Sequence, residues 1–334
     1  SRSDPRKARL RRDRIRREKT TVREVSSAMY DSGALPEIEH PFAAERSLWE
    51  IEALLEGHEF DNIDQANERL RELIQHGKIS ETAGAWKQDD PVWRAQRLAY
   101  DAMESNDAKE TLWLIQEALK LDPDCTDALR LMVTVVPMDL DKRITLMRDV
   151  VERAEQRLGE EFFEREMGHF WGMVATRPYM RAMQHLGELL TEAGELEAAT
   201  ATLEKMLELN PRDNQGIRYL LLGLYLAANQ PAQAAGLMSQ YPDEEEIAPA
   251  FAWGRVLERW LAGELAEAEE ALRRARQVNR FVELYLVGTR KAPSEPPPYY
   301  RPGDDLEAQA CAVDLAAAWK SHPAFVEWSR AHGR

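Results

Sequence analysis

The residues of this 334-residue chain best placed to do chemistry are two Glu-x-x-His pairs, Glu37 with His40 and Glu166 with His169. On facing helices, two such pairs spaced i, i+3 can hold a di-metal centre. Glu37 and His40 sit between Pro36 and Pro41, where proline makes a helix improbable. With 59 Asp and Glu residues in the chain, pairs of this kind also arise by chance. His169 is expected to pack beside Phe170 and Trp171, and His185 to lie within a helix. The two cysteines, Cys125 and Cys311, are far apart and form no C-x-x-C pair. That suits a reducing compartment, argues against structural zinc and makes both thiols packing residues. The signatures G-x-G-x-x-G, Walker A, G-x-S-x-G and H-E-x-x-H are absent. No catalytic, cofactor-binding or metal-ligating constellation emerges, and a non-enzymatic protein is expected.

Charge offers a second kind of chemistry. The formal net charge is -15, but residues 1–23 hold eleven basic and three acidic side chains, a net of +8, which leaves -23 on the remaining 311 residues. The arm is helix-compatible, and Arg6, Lys7, Arg9, Arg11, Arg12, Arg14, Arg16 and Arg17 are its candidate polyanion contacts. Against RNA such a cluster would bind phosphate without base specificity and with a steep salt dependence. No aromatic residue precedes Tyr30, so a base-stacking platform is missing. The acidic body, a second protomer or plain solvent is the favoured surrounding of the arm, since an acidic body repels nucleic acid. No apolar stretch follows Arg23, so an export signal is not expected. No apolar run approaches the roughly 18 residues of a membrane helix. A cytoplasmic protein without a membrane partner is the expectation.

The elements that would position these residues are helical. Ala, Leu, Glu and Arg dominate the composition, and the sequence repeats itself. Ala193-Gly194-Glu195-Leu196-Glu197-Ala198-Ala199 recurs as Ala262-Gly263-Glu264-Leu265-Ala266-Glu267-Ala268, close to two 34-residue units later. In a unit starting at Met180, Leu186, Gly187, Ala199, Leu203 and Pro211 fall where two crossing helices need apolar, small and terminating residues. A shortened unit starts at Gly216, a third at about Pro249, and a fourth ends at Leu121-Asp122-Pro123. Between Pro123 and Pro211 the spacing leaves a degenerate pair and an insertion, with Ile144, Met147, Val150, Val151, Ala154 and Leu158 reading as one long helix.

Leu186, Gly187, Ala199 and Pro211 resemble the tetratricopeptide consensus. This implies an all-α fold: a tetratricopeptide-repeat, right-handed superhelical solenoid of antiparallel helix pairs, each covering the apolar face of its neighbour. The runs Gly168-His169-Phe170-Trp171-Gly172, Thr176-Arg177-Pro178-Tyr179 and Asn210-Pro211-Arg212-Asp213-Asn214-Gln215-Gly216 also resemble a bacterial family of tetratricopeptide proteins. They are similar to the soluble region of the suppressor-of-tumorigenicity 7 proteins. Four segments follow: a basic arm and linker at 1–42, capping helices and a linker at 43–90, repeats at 91–288 with the degenerate insert at about 124–179, and a Pro-rich loop with capping helices at 289–334. Trp49 and Leu70 should face inward at the front, Gly77 to Pro91 should be a polar boundary, and a helix should run from Asp304 to about Lys320.

The resemblance implies a function as well. Repeats of this type bind through inner-wall positions of the first helix of each pair. The candidate groove residues are therefore Arg177, Arg181, Gln184 and Glu188 on one unit, and Ile217, Arg218, Leu220 and Leu224 on the next. One wall is polar and its neighbour apolar, a combination suited to an amphipathic segment laid in the groove. The chain's own arm or C-terminal helix could instead cover the apolar part. Gln184 and Glu188, like Gln96 and Tyr100, do not supply the basic residue and Asn with which some chaperone adaptors hold a C-terminal carboxylate. The expectation is a scaffold or adaptor for a protein or peptide partner, which a second copy of the chain could supply, with an RNA- or ribosome-associated factor as the alternative.

Overall fold

The computed structural model describes residues 42–332, apart from 57–59, 61 and 76–78. Among the described residues there are helices and no strands: α1 (Ala43–Leu55), α2 (Ile63–Gln75), α3 (Ile79–Trp86), α4 (Pro91–Glu104), α5 (Ala108–Leu121), α6 (Thr126–Val135), α7 (Leu140–Leu158) and α8 (Glu160–Glu166). Two 3₁₀ turns, Phe170–Gly172 and Val174–Thr176, lead into α9 (Arg177–Ala193) and α10 (Leu196–Leu209). Then come α11 (Ile217–Ala227), α12 (Pro231–Gln240), α13 (Glu244–Ile247), α14 (Pro249–Leu261), α15 (Leu265–Val278) and α16 (Val282–Leu286). The chain ends in α17 (Asp305–Asp314), α18 (Ala316–Ser321) and α19 (Pro323–Ala331). The fold is all-α and tetratricopeptide-like. It divides into two compact units between His185 and Leu186. That division falls within α9, inside the 91–288 repeat array.

The helices start and stop where local chemistry demands. Asp90, Asp107, Asp139 and Asp304 each accept a hydrogen bond from a backbone N–H of the first turn of the helix that follows, satisfying donors the helix cannot. The recurring Ala-Gly-Glu is a helix terminator. Glu195 N–H donates to Leu190 O and Gly194 N–H to Thr191 O, while Glu264 donates to Arg259 O and Gly263 to Trp260 O. This is the Schellman pattern, with Gly194 at φ 76° and Gly263 at φ 79°. The shortened unit closes in the same way through Asn229 at φ 56°, with Gln230 donating to Tyr225 O.

In the first unit α4 and α5 form a hairpin, followed by α6 and the long α7. Ala95, Ala99, Ile115, Ala118, Cys125 and Ala128 pack between them. Small residues here let the helices approach closely. The stretch from Gly77 to Pro91, expected as a boundary, holds α3, whose Ala83 is buried with Leu54 and Trp93. Trp49 is half-buried in that cluster, while the side chain of Leu70 lies outside the described residues.

In the second unit Gly187 crosses α10 so closely that a Cβ would come within 2.6 Å of Leu203 Cδ2. Downstream, α11 packs against α10, α12 and α14. Its remaining side is covered by α17 and α18. The C-terminal helix expected to reach Lys320 bends at Leu315, which is fully buried between α17 and α18.

Candidate protein-interaction site

The predicted inner wall of the first unit converges on one carboxylate. Arg181 donates through Nη1 to Glu45 Oε1 at 2.7 Å, Tyr100 donates its hydroxyl to the same oxygen at 2.8 Å, and Arg177 Nη1 donates to Glu45 Oε2 at 3.3 Å. Glu45 belongs to α1, Tyr100 to α4 and both arginines to α9, so α1 bridges helices from separate pairs. Arg181 also grips Asp127 of α6, through Nε at 2.9 Å and Nη2 at 2.5 Å. Gln96 donates to Asp127 Oδ2 at 2.9 Å. Arg177 is fixed further by donation to Trp171 O and by stacking 5.1 Å from the Trp171 ring.

These groups are out of water, and their proton affinities show it. Burial works to raise the Asp127 carboxyl, but Arg181, with help from Arg130 and Gln96, holds it at about 2. Burial works to lower the Arg181 guanidinium, and the Asp127 and Glu45 carboxylates raise it well above the arginine range. Burial and the Glu45 charge push the Tyr100 hydroxyl up. Asp127 and Arg181 are therefore a fixed pair of charges near neutral pH, with the Tyr100 hydroxyl keeping its proton beside them.

Beside it lies a cleft of about 310 Å³ lined by Trp49, Trp93, Tyr100, Tyr179, Lys87 and Arg157, among others. Trp49 and Trp93 stack with centroids 4.4 Å apart and 9° between planes. Lys87 pairs with Glu56, and Arg157 is held by Asp122 through two 2.7 Å hydrogen bonds. The cleft thus combines aromatic lining residues with a rim of charges paired within the chain.

Several predicted residues take other places. Arg181 is buried as part of the ion network, which removes it from an exposed wall. Ile217 and Leu224 are core residues of the second unit, 3% and 0% exposed, on an α11 that is packed by α10, α12, α14, α17 and α18. Leu220 is half-buried. Arg218 is tied to Asp213 at 2.8 Å and Glu244 at 2.8 Å and stacks on Tyr219 at 4.3 Å, so it braces the start of α11. Gln184 is half-buried and Glu188 exposed. His169 is exposed, while its neighbour Phe170 is buried. His185 is half-buried, and burial with nearby Arg130 and Arg143 lowers it to about 4. Burial pushes the Cys125 thiol up to about 12. Among the described residues no three His, Cys, Asp or Glu side chains are grouped to hold a metal, and Glu37 and His40 lie outside them. So do Arg6, Lys7, Arg9, Arg11, Arg12, Arg14, Arg16 and Arg17. Among the same described residues no helix is long and apolar enough to cross a membrane.

Repeat phasing did not reveal Glu45, Asp127 or the Trp49–Trp93 stack. Glu45 and Trp49 are one helical turn apart on a segment outside the repeats. Asp127 follows Cys125 at a helix start, where an acidic residue reads as dipole complementation.

A tetratricopeptide-repeat family model matches residues 181–249, from within α9 to the first residue of α14. The chain contains tetratricopeptide repeats. Such repeats generally mediate contacts between proteins and are generally not enzymes. No curated protein matches this chain. The matched segment includes Gly187, Ala199 and Pro211, and it ends before the second Ala-Gly-Glu terminator at Ala262.

Proposed function

We propose that this tetratricopeptide protein is a non-enzymatic scaffold or adaptor that binds a protein partner or peptide segment along the inner face of its repeats. The observation that carries the reading is the cleft in the first unit, where half-buried Trp49 and exposed Val92 meet a charged rim of Lys87 and Arg157. Aromatic residues and arginine at the edge of a concavity are what concentrate binding energy in protein interfaces. A full-length K87E/R157E variant tests it. With circular dichroism showing that the variant is folded, affinity capture should lose at least one partner bound by the wild type. Capture of an unchanged set of partners by a folded variant refutes the reading.

The charge split supports a second reading, in which the +8 arm holds RNA or another polyanion. Deletion of residues 1–23 should then weaken RNA affinity, and the wild-type affinity should fall steeply with salt. No loss, or no salt slope, rules this out. The first reading places the chain in the cytoplasm, admits a second copy of itself as the partner, and takes the chain for a relative of the bacterial and suppressor-of-tumorigenicity 7 proteins.

A further inference from the structure

The helix α1 is seated in the first unit as a ligand would be. A helix lying on a surface buries a stripe of about 100° or somewhat more. The buried residues of α1, namely Ala44, Glu45, Leu48, Glu50, Ile51, Leu54 and Leu55, span an arc of about 220° at 100° per residue. It is therefore enclosed on most sides by α3, α4, α9 and the second 3₁₀ turn. Its first residue follows Phe42, whose ring lies 5.7 Å from the Arg181 guanidinium, and its last is followed by Glu56, which pairs with Lys87.

Leu48, Ile51, Leu54 and Leu55 bury the apolar side of α1, and two specific contacts one helical turn apart set which helix can lie there. The Glu45 carboxylate receives Arg181, Arg177 and Tyr100. Four residues on, the Trp49 indole stacks on Trp93 and tilts against Tyr100 at 5.4 Å. Arg46, between them, reaches out to Asp101 and Glu104 at the edge of α4, each at 2.7 Å. The cleft beside Trp49 and Trp93 shows that α1 does not fill the whole concavity.

We propose that α1 is a tethered occupant of the partner groove, and that the groove's external ligand is an acidic amphipathic helix presenting a carboxylate and an indole four residues apart. Resting on the protein-binding reading above, this names the ligand's chemistry and adds a competition that the reading lacks. The groove supplies two guanidinium groups and a hydroxyl for a carboxylate, and an indole and a phenol for an aromatic ring. A helix that matched both contacts and also entered the cleft would displace α1. The occupant in place lowers the apparent affinity of any outside helix, about 100-fold if the groove stands open about 1% of the time.

A labelled peptide with the sequence from Phe42 to Glu56 is the probe, titrated by fluorescence anisotropy into full-length protein. The full-length E45A/W49A variant, whose α1 has lost both contacts, should bind the peptide at least about tenfold more tightly than the wild type, or about 1.4 kcal/mol. A peptide carrying the same two substitutions should lose that binding. A folded E45A/W49A protein that binds the peptide no better than the wild type overturns the proposal. If that variant fails to fold, a protease site inserted directly after Glu56 of the otherwise native chain replaces it. After cleavage, exchange of the N-terminal fragment for excess peptide supports the proposal, and no exchange overturns it. Peptide binding combined with unchanged capture by K87E/R157E leaves the tether standing and removes the partner reading, and the converse result does the reverse.

Discussion

Three mid-helix glycines of the second unit form a graded test of how its C-terminal helices are held. Replacing an exposed helical glycine by alanine gains up to about 1 kcal/mol, because alanine loses less backbone freedom on folding. Gly236 in α12 has nothing within 4 Å of the place a Cβ would occupy, so G236A should gain that amount in full. At Gly187 the added methyl meets Leu203 Cδ2 at 2.6 Å, the tip of a side chain that can turn aside, and the gain and the repacking cost should roughly cancel. At Gly223 in α11 the methyl would stand 2.1 Å from the backbone oxygen of Asp314 and 3.2 Å from its carbonyl carbon. Backbone cannot rotate away, so the α17–α18 junction must retreat by about 1.4 Å to restore ordinary contact near 3.5 Å. That retreat also breaks the 2.7 Å contact between His322 Nε2 and Leu226 O. Overpacking costs about 1–3 kcal/mol, so G223A should lose up to about 2 kcal/mol after the propensity gain of about 1 kcal/mol. Urea denaturation followed by tryptophan fluorescence reads all three on the transition of the same unit. Limited proteolysis should cut the Ala292–Gly303 segment faster in G223A than in the other two. If G223A is as stable as G236A, the covering of α11 by α17 and α18 is wrong.

Replacing Arg181 with Met should destabilise the first unit by about 3–5 kcal/mol, since it strands the Glu45 and Asp127 carboxylates out of water. Asp127, held at about 2, contributes stability that is present above the ordinary carboxylate range and lost as pH falls through about 2, so R181M should unfold at a higher pH in an acid titration. Burial raises Asp314 to about 7, and between the unfolded value of ~4 and pH 7 the native state keeps a proton that the unfolded chain releases, so stability falls as pH rises across that window. Full conversion would be about 4 kcal/mol, but Asp314 retains partial water access, so D314N should gain about 1–2 kcal/mol over the wild type at pH 8 and almost nothing at pH 4, in urea midpoints that parallel curves would contradict. Cys125 and Cys311 are 3% and 2% exposed with thiols raised by burial, so both should resist alkylation at pH 8 in the native protein and react in urea.

The parts of this fold that were legible in the sequence are those whose physics is local. The paired Ala-Gly-Glu runs announced helix ends because a left-handed residue is needed there, and the 34-residue phase placed Gly187 and Ala199 at a close crossing. The terminator at Asn229 was harder to see, since asparagine takes the left-handed region less often than glycine. The turn of helix within Gly77 to Pro91 was missed because Ala83 alone carries its burial. Inner-wall positions could be numbered from the phase, but their solvent exposure could not. That depends on α1 for Arg181 and in part on α17 and α18 for Leu224, segments more than 80 residues away in the chain. Repeat phase says which way a side chain points and is silent about what arrives opposite it.

The two units cover their inner walls by different chemistry, and the difference bears on exchange. In the second unit the cover is apolar and sterically fitted: Gly223 against the Asp314 backbone, Leu315 and Phe325 fully buried, and Cys311 and Ala312 packed in the same layer. Burial of this kind is strong and tolerates little substitution by another sequence. In the first unit Leu48, Ile51, Leu54 and Leu55 are buried too, but a carboxylate among two guanidinium groups and an indole stack are added to them. A buried ion pair contributes little net stability over an apolar replacement, yet costs several kcal/mol when one partner is removed alone. Such a site selects its occupant more than it stabilises the fold. An incoming helix that brings its own carboxylate restores the partner that Arg177 and Arg181 share, whereas one without it leaves Arg177 without a carboxylate and Arg181 with Asp127 alone. The first unit is therefore where exchange with a partner should occur, and the second is where the chain should hold together.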